Sequence, residues 1–320
     1  MTRQSDDYSG SASNGPIGAI SVPEAEAGQR LDQVLARLIP QHSRNRLQGW
    51  IRAGRVRIDG SAVEDPKRKL RGGEQIEVED EPPPEVVADT PEDIPLMVVY
   101  EDEDILVIDK PAGLVVHPGS GNWGGTLLNG LLHRSDSARV LPRAGIVHRL
   151  DKDTSGLMVV ACNEIAQTDL VRQLQARTVK RQYLALVRGR VERESMSIDA
   201  PIGRHPTQRT RMAVVGGARE ARTHVRVRER FATTTLVECS LETGRTHQIR
   251  VHMAHVGHPL VGDTVYGGAR GEPKFGRQAL HAWRLGLIHP TTREPMHWDS
   301  ELPADFAALL AGLRSGARAA

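Results

Sequence analysis

Between Glu79 and Asp104 the chain carries eleven acidic residues and no basic one, and the stretch contains Pro82-Pro83-Pro84, Pro91 and Pro95. A run so charged and so rich in proline cannot supply a core, because like charges repel and proline lacks a backbone donor. It divides the 320 residues into two unequal folding units. On one side, Gly28 to Val78 holds eleven Lys/Arg against six acids, a net of +5. On the other, Ile105 to Ala320 carries a net of +11. Two basic blocks around an acidic spacer suit a polyanionic partner. The expected order is a polar, disordered tail over 1–27, a small domain over 28–78, and an acidic Pro-rich linker over 79–95. A large domain over 96–314 and a short flexible tail over 315–320 complete it.

Several function classes drop out on composition. Cys162 and Cys239 cannot build a disulfide framework or a Cys-rich zinc site, and they fit a reducing cytoplasm. No apolar run approaches the roughly 20 residues of a membrane helix, and the polar start lacks the apolar stretch of a signal peptide. Neither a phosphate loop nor a dinucleotide fingerprint is present. His247, His252, His255 and His258 cluster, but without HExxH or an evident third ligand type, so no metal is expected. Aromatics make up only 3% of the chain, which argues against an RNA surface built mainly on stacking.

In the small domain, Leu31, Val34, Leu35, Leu38 and Ile39 recur at helical spacing until Pro40 stops the run. Ser43 can cap a second helix that carries Leu47, Trp50 and Ile51 on one face, with Gly54 beyond its end. Val56 and Ile58 alternate before the turn signal Asp59-Gly60. Arg44, Arg46 and Arg52 on the helix, with Arg55 and Arg57 after it, form a candidate phosphate-tracking surface.

Beyond Leu96 strands dominate. They are expected over 105–108, 113–116, 157–161, 183–187, 223–227, 235–241 and 279–288, with helices over 164–176, 246–256 and 304–313. Many strands among few helices favour an α+β fold with a mixed, mainly antiparallel sheet. The chemistry concentrates in GIVHRLDKDTSGLMVVA, residues 145–161. Apolar strands flank a polar loop from His148 to Ser155, and Arg149 and Lys152 flank Asp151 in a way that favours its ionised form. Taken alone, the loop reads more readily as a charged turn between two strands than as a site.

The segment from Arg30-Leu31-Asp32 to Gly54-Arg55-Val56-Arg57-Ile58-Asp59-Gly60 resembles the S4 RNA-binding module. The run His148-Arg149-Leu150-Asp151-Lys152-Asp153-Thr154-Ser155-Gly156-Leu157 resembles the signature of the large-subunit-type pseudouridine synthase family. Its companions stand in order: Lys110-Pro111-Ala112-Gly113-Leu114, Lys180-Arg181-Gln182-Tyr183, Glu242-Thr243-Gly244-Arg245-Thr246-His247-Gln248-Ile249-Arg250, and Gln278-Ala279-Leu280-His281-Ala282.

That resemblance implies a pseudouridine synthase fold, isomerisation of uridine in RNA, and no cofactor. It makes Asp151 the nucleophile, by addition to the sugar C1′ or by proton abstraction. It sets Tyr183 beside the target base and pairs Arg245 with Asp151. Arg149 fills the space of a flipped base, and Leu280 and Ile249 contact the substrate. Longer shared stretches, among them Pro142 to Arg149 and His258 to Asp263, are most similar to D-type members acting on the helix 69 stem-loop of large-subunit ribosomal RNA. The expectation is a cytoplasmic monomer whose partner is that RNA or a pre-ribosomal subunit. The alternatives are the same chemistry at other rRNA or tRNA sites, or a non-catalytic RNA-binding assembly factor.

Overall fold

The computed structural model describes residues 16–79, 88–119, 122–267 and 273–316. The chain divides into two compact units, Met1–Val86 and Val87–Ala320.

In the first unit, α1 (Leu31–Leu38) and α2 (Arg44–Arg52) pack on a four-stranded sheet. Its strands are β1 (Pro16–Ser21), β2 (Val56–Ile58), β3 (Ser61–Ala62) and β4 (Gln75–Glu79), in the order β1-β4-β2-β3. The expected face of α1 is buried, and the Ser43 side chain caps α2 by accepting from the Arg46 N–H. Asp59 and Gly60 both take positive φ, as a tight hairpin between β2 and β3 requires. The expected tail is shorter than 1–27, because residues 16–21 form β1 and pair antiparallel with β4. Pairing covers what would otherwise be an open edge of β4. Residues 1–15, and residues 80–87 of the expected linker, lie outside the described residues.

The second unit is built on a nine-stranded sheet in the order β5-β6-β7-β14-β8-β13-β12-β9, with β15 also paired to β14. The strands are β5 (Val98–Glu101), β6 (Ile105–Lys110), β7 (Ser155–Ala161), β8 (Lys180–Arg188) and β9 (Ser195–Asp199). They continue with β12 (Arg222–Arg230), β13 (Thr234–Leu241), β14 (Leu280–Ile288) and β15 (Pro295–Asp299). A separate hairpin joins β10 (Ile202–Arg204) to β11 (Met212–Val214). Among the described strands every pairing is antiparallel except β7 with β14, so the expected mixed, mainly antiparallel α+β class holds.

The sheet is covered on both faces. Leu106, Ile108, Met158, Val160, Tyr183 and Ala185 turn to one side, toward α3 (Leu127–Arg134) and α6 (Gln248–His255). Ile105, Val107, Leu157 and Val159 turn to the other, toward α5 (Glu164–Gln175). Leu186 and Leu236 meet α7 (Ala304–Arg314). Covering on both faces is why β6 and β7 read as unbroken apolar runs while the more exposed β12 alternates.

Two expectations fail locally. Residues 113–116 form no strand: Ala112 and Gly113 make a turn, and Val115 forms only an isolated bridge with Thr126. Gly113 takes φ +92°, and the carbonyls of Pro111 and Leu114 point at the Lys110 ammonium. The helices α3 and α4 (Asp136–Val140) were not foreseen. Thr126 and Asn129 form a reciprocal cap on α3. The Asn129 amide then reaches back to the carbonyls of Ala88 and Thr90. The last part of the expected linker is thus strapped onto α3.

Candidate active site

Two glycines bracket the polar loop. At Gly145, φ is +78° and a Cβ would lie 2.0 Å from the Ala161 carbonyl oxygen. At Gly156, φ is +112° and a Cβ would lie 2.2 Å from the Ala282 oxygen. Only glycine allows β7 to meet β14 directly after the loop. Between them Leu150 is buried in the core and Asp151 faces outward. The loop is tied at nearly every step. His148 Nε2 accepts from the Val159 N–H at 3.1 Å, and burial followed by the Arg181 charge holds this imidazole down at about 3, hence neutral. The Thr154 N–H donates to the Asp151 carbonyl. Arg277, itself paired with Asp305, donates to the Asp153 carbonyl at 3.0 Å.

Among the described residues Lys110 is the largest fully buried side chain, and its ammonium donates to three carbonyls, Pro111, Leu114 and Lys152, at 2.8–2.9 Å. Burial draws its pKa down to about 7 against the opposing pull of Asp153 and Asp151. Three backbone acceptors match the three ammonium donors, so Lys110 fixes the 111–114 turn to the Asp151 loop.

The carboxylate of Asp151 retains 18% of its side-chain exposure and accepts from Arg250 Nη1 at 3.0 Å. Arg250 is clamped from behind by Asp263, through Nε at 2.7 Å and Nη2 at 3.0 Å. Burial pulls the guanidinium pKa down, but the hydrogen bonds and charges of Asp263 and Asp151 carry it well above the ordinary arginine value. Asp263 is held in turn by the N–H groups of Val265 and Tyr266.

Here the expectation for Arg245 is corrected: Arg250 pairs with Asp151. The Gln248 side chain accepts from Thr243 Oγ1 and from the Arg245 N–H, closing a turn ahead of α6. That turn directs the Arg245 side chain to the Glu220 carbonyl, while Arg250, one turn further on, projects inward. Both arginines stand in the sequence motif. The helix start decides between them, and it falls two residues later than expected.

Tyr183 is buried on β8 within the same apolar cluster as Leu150, Ile249 and Leu280. Burial raises its hydroxyl pKa; the nearby Asp151 charge adds to the rise and Arg181 opposes it. Arg149 is exposed, and its charge acts on both His117 and His247. The site therefore gathers an anchored carboxylate, a phenol, an apolar wall and an exposed cation.

In the first unit the candidate arginines differ. Arg44 is ion-paired at 2.8 Å to the buried Asp32, which also accepts from Arg30 and Gln48, so Arg44 already serves the fold. Arg46 lies over the Trp50 ring, Arg52 reaches Gln48, and Arg57 points outward from β2. Arg55 is half-buried beside it.

Within the histidine cluster, His252 and His258 carry structural bonds. His252 meets Thr223 Oγ1 and the Ala200 carbonyl, each at 2.9 Å. A different trio, Asp102, Asp104 and His289, has ligand-like spacing. His289 Nδ1 accepts from the N–H groups of Thr291 and Thr292, so its proton sits on Nε2 and is donated to Asp102. That tautomer leaves no lone pair for an ion.

Comparison with known proteins gives the family. Residues 104–255 match the model of the RNA pseudouridylate synthase family, and residues 29–76 match the S4 domain. The ribosomal large subunit pseudouridine synthase D of Nitrosomonas europaea is 55% identical over 313 residues, covering 96% of this chain and 90% of that protein. The chain belongs to the RNA pseudouridylate synthase family. The synthase is also 54% identical over 310 residues to the enzyme of the same name from Pseudomonas aeruginosa, covering 92% and 95% of the two chains. Among solved structures it resembles human RNA pseudouridylate synthase domain containing 1, with a TM-score of 0.54 and 28% identity. That match covers 70% of this chain and 96% of the other. The synthase is thus an isomerase with an S4 domain ahead of its catalytic domain.

Proposed function

We propose that the synthase converts uridine to pseudouridine in large-subunit ribosomal RNA, at the helix 69 stem-loop, with Asp151 as the reacting carboxylate. The observation that carries the assignment of Asp151 is its hydrogen bond to Arg250, whose other face is locked by Asp263. A carboxylate anchored through one oxygen is held in one orientation and presents the other oxygen to substrate. The rRNA substrate follows from the name shared by the curated relatives and from the S4 domain.

The reaction is balanced without a co-reactant. The N1–C1′ bond breaks, the uracil turns, C1′ bonds to C5, C5 loses a proton and N1 gains one. Asp151 either adds to C1′ or removes a sugar proton, and the anchored geometry serves both. Tyr183 and the apolar wall of Leu280 and Ile249 hold the base, which has left its stack, while Arg149 enters the space left behind. Flipping costs a few kcal/mol.

Mapping pseudouridines in rRNA from a deletion strain complemented with wild type or Asp151→Asn tests the proposal. Loss of one cluster in helix 69, restored by wild type alone, is the expected result. Loss at another site overturns the assigned stem-loop. Full restoration by Asp151→Asn overturns the assigned nucleophile.

A further inference from the structure

The two oxygens of Asp151 have different surroundings. Oδ2 is taken by Arg250, whereas Oδ1 faces Nε2 of His247 across 4.0 Å. That gap is too long for a direct hydrogen bond, yet one oxygen atom can sit about 2.8 Å from both groups at once.

The His247 ring is fixed so that a donor faces the gap. Its Nδ1 lies 2.8 Å from the Tyr266 hydroxyl, and that hydroxyl oxygen accepts from the Met212 N–H at 3.0 Å. The phenolic proton therefore finds its acceptor in Nδ1, and the single proton of the neutral imidazole resides on Nε2. The opposite tautomer would set a lone pair against a carboxylate. Burial lowers the His247 pKa, Arg250 and Arg149 add to that, and Asp151 and Asp263 oppose it. The backbone of His247 is left-handed, at φ +57°, a conformation that a bulky residue keeps only where its surroundings hold it.

We propose that His247 Nε2 and Asp151 Oδ1 together hold the 2′-hydroxyl of the target nucleotide, making His247 the residue through which the synthase selects ribose over deoxyribose. The hydroxyl accepts from Nε2–H and donates to Oδ1. The proposal rests on Asp151 being the reacting carboxylate, since a group acting at C1′ or C2′ necessarily has the 2′-oxygen beside it. It assigns His247 a contact with substrate and Tyr266 a positioning role, acting through the tautomer of His247.

The test uses the full-length chain and a synthetic stem-loop RNA whose mapped uridine is either ribose or 2′-deoxyribose. The readout is the ratio of kcat/KM for the two substrates. Leaving a buried donor or acceptor unpaired typically changes such a constant about 10- to 100-fold. Wild type is expected to prefer ribose by about that factor. In His247→Ala the ribose rate falls while the deoxyribose rate stays within about threefold, so the ratio collapses. His247→Gln, which keeps an N–H donor, recovers part of it, and Tyr266→Phe reduces it. A purely structural role would lower both rates alike. An unchanged ratio in His247→Ala overturns the proposal. Should that variant not fold, an unchanged ratio in both His247→Gln and Tyr266→Phe does the same. Normal turnover of the ribose substrate by Asp151→Asn would instead remove the reading beneath it.

Discussion

Arg250 is held at both ends, by Asp151 in front and Asp263 behind, and this fixes what its loss should do. Lysine carries the charge but cannot present three donors to two carboxylates in one plane. Arg250→Lys is expected to lower kcat about 30- to 100-fold with little change in KM, from about 2–3 kcal/mol of lost charge-assisted bonding. Arg245→Ala removes a bond to the Glu220 carbonyl, away from Asp151, and should change kcat less than about threefold. Single-turnover kinetics on one stem-loop compares the two. Equal losses would return the pairing role to Arg245. The same scale shows where sequence reasoning reached its limit. Asp151 and Tyr183 stood out because their motifs are contiguous. Choosing between Arg245 and Arg250 required knowing where α6 begins, and the Gln248 side chain sets that start by capping a turn.

At the scale of elements, the glycine after the Asp151 loop carries a steep prediction. Gly156→Ala must place a methyl group against the Ala282 backbone at a left-handed φ. About 3 kcal/mol or more of destabilisation is expected, with the melting temperature falling by several degrees. Gly216→Ala, with open space around it, serves as the control in a calorimetric comparison. The strands β6, β7, β8, β12, β13 and β14 were legible because burial on one or both faces leaves a period-two or continuous apolar signature. Helix α3 was not, because its cap uses Asn129 where the familiar box has Glu or Gln. Residues 113–116 misled for the opposite reason. They are apolar enough for a strand, but Lys110 claims the Leu114 carbonyl and ties it to the distant Lys152 carbonyl.

For the whole molecule, the two units call for separate tests. In the first, burial raises the Asp32 carboxyl pKa, but hydrogen bonds from Arg44, Gln48 and Arg30 outweigh it and hold it at about 2, below its ordinary 3.8. A depressed carboxylate stabilises the fold fully above its unfolded pKa, and this contribution fades as pH falls through the folded value. Asp32→Asn should therefore cost about 2 kcal/mol at pH 7, and the difference from wild type should shrink below about pH 4 and vanish near pH 2. Urea titrations of the full chain, followed by Trp50 fluorescence, measure this. Removing residues 1–86 should weaken RNA binding and flatten its dependence on salt more than it slows single-turnover chemistry, because phosphate contacts release counterions. An unchanged salt slope would take the first unit out of binding.

The position of β14 also sets a clock. This strand lies between β7 and β8, yet the chain makes it more than ninety residues after β8. Until it emerges from the ribosome, β5-β6-β7 and β8-β13-β12-β9 are two sheets without a shared strand, and Asp151 and Tyr183 belong to different halves. At about 5–20 residues per second, translation makes this strand only roughly 5–20 seconds after β8. A nascent chain therefore cannot modify RNA until β14 has been made and has joined the two sheets.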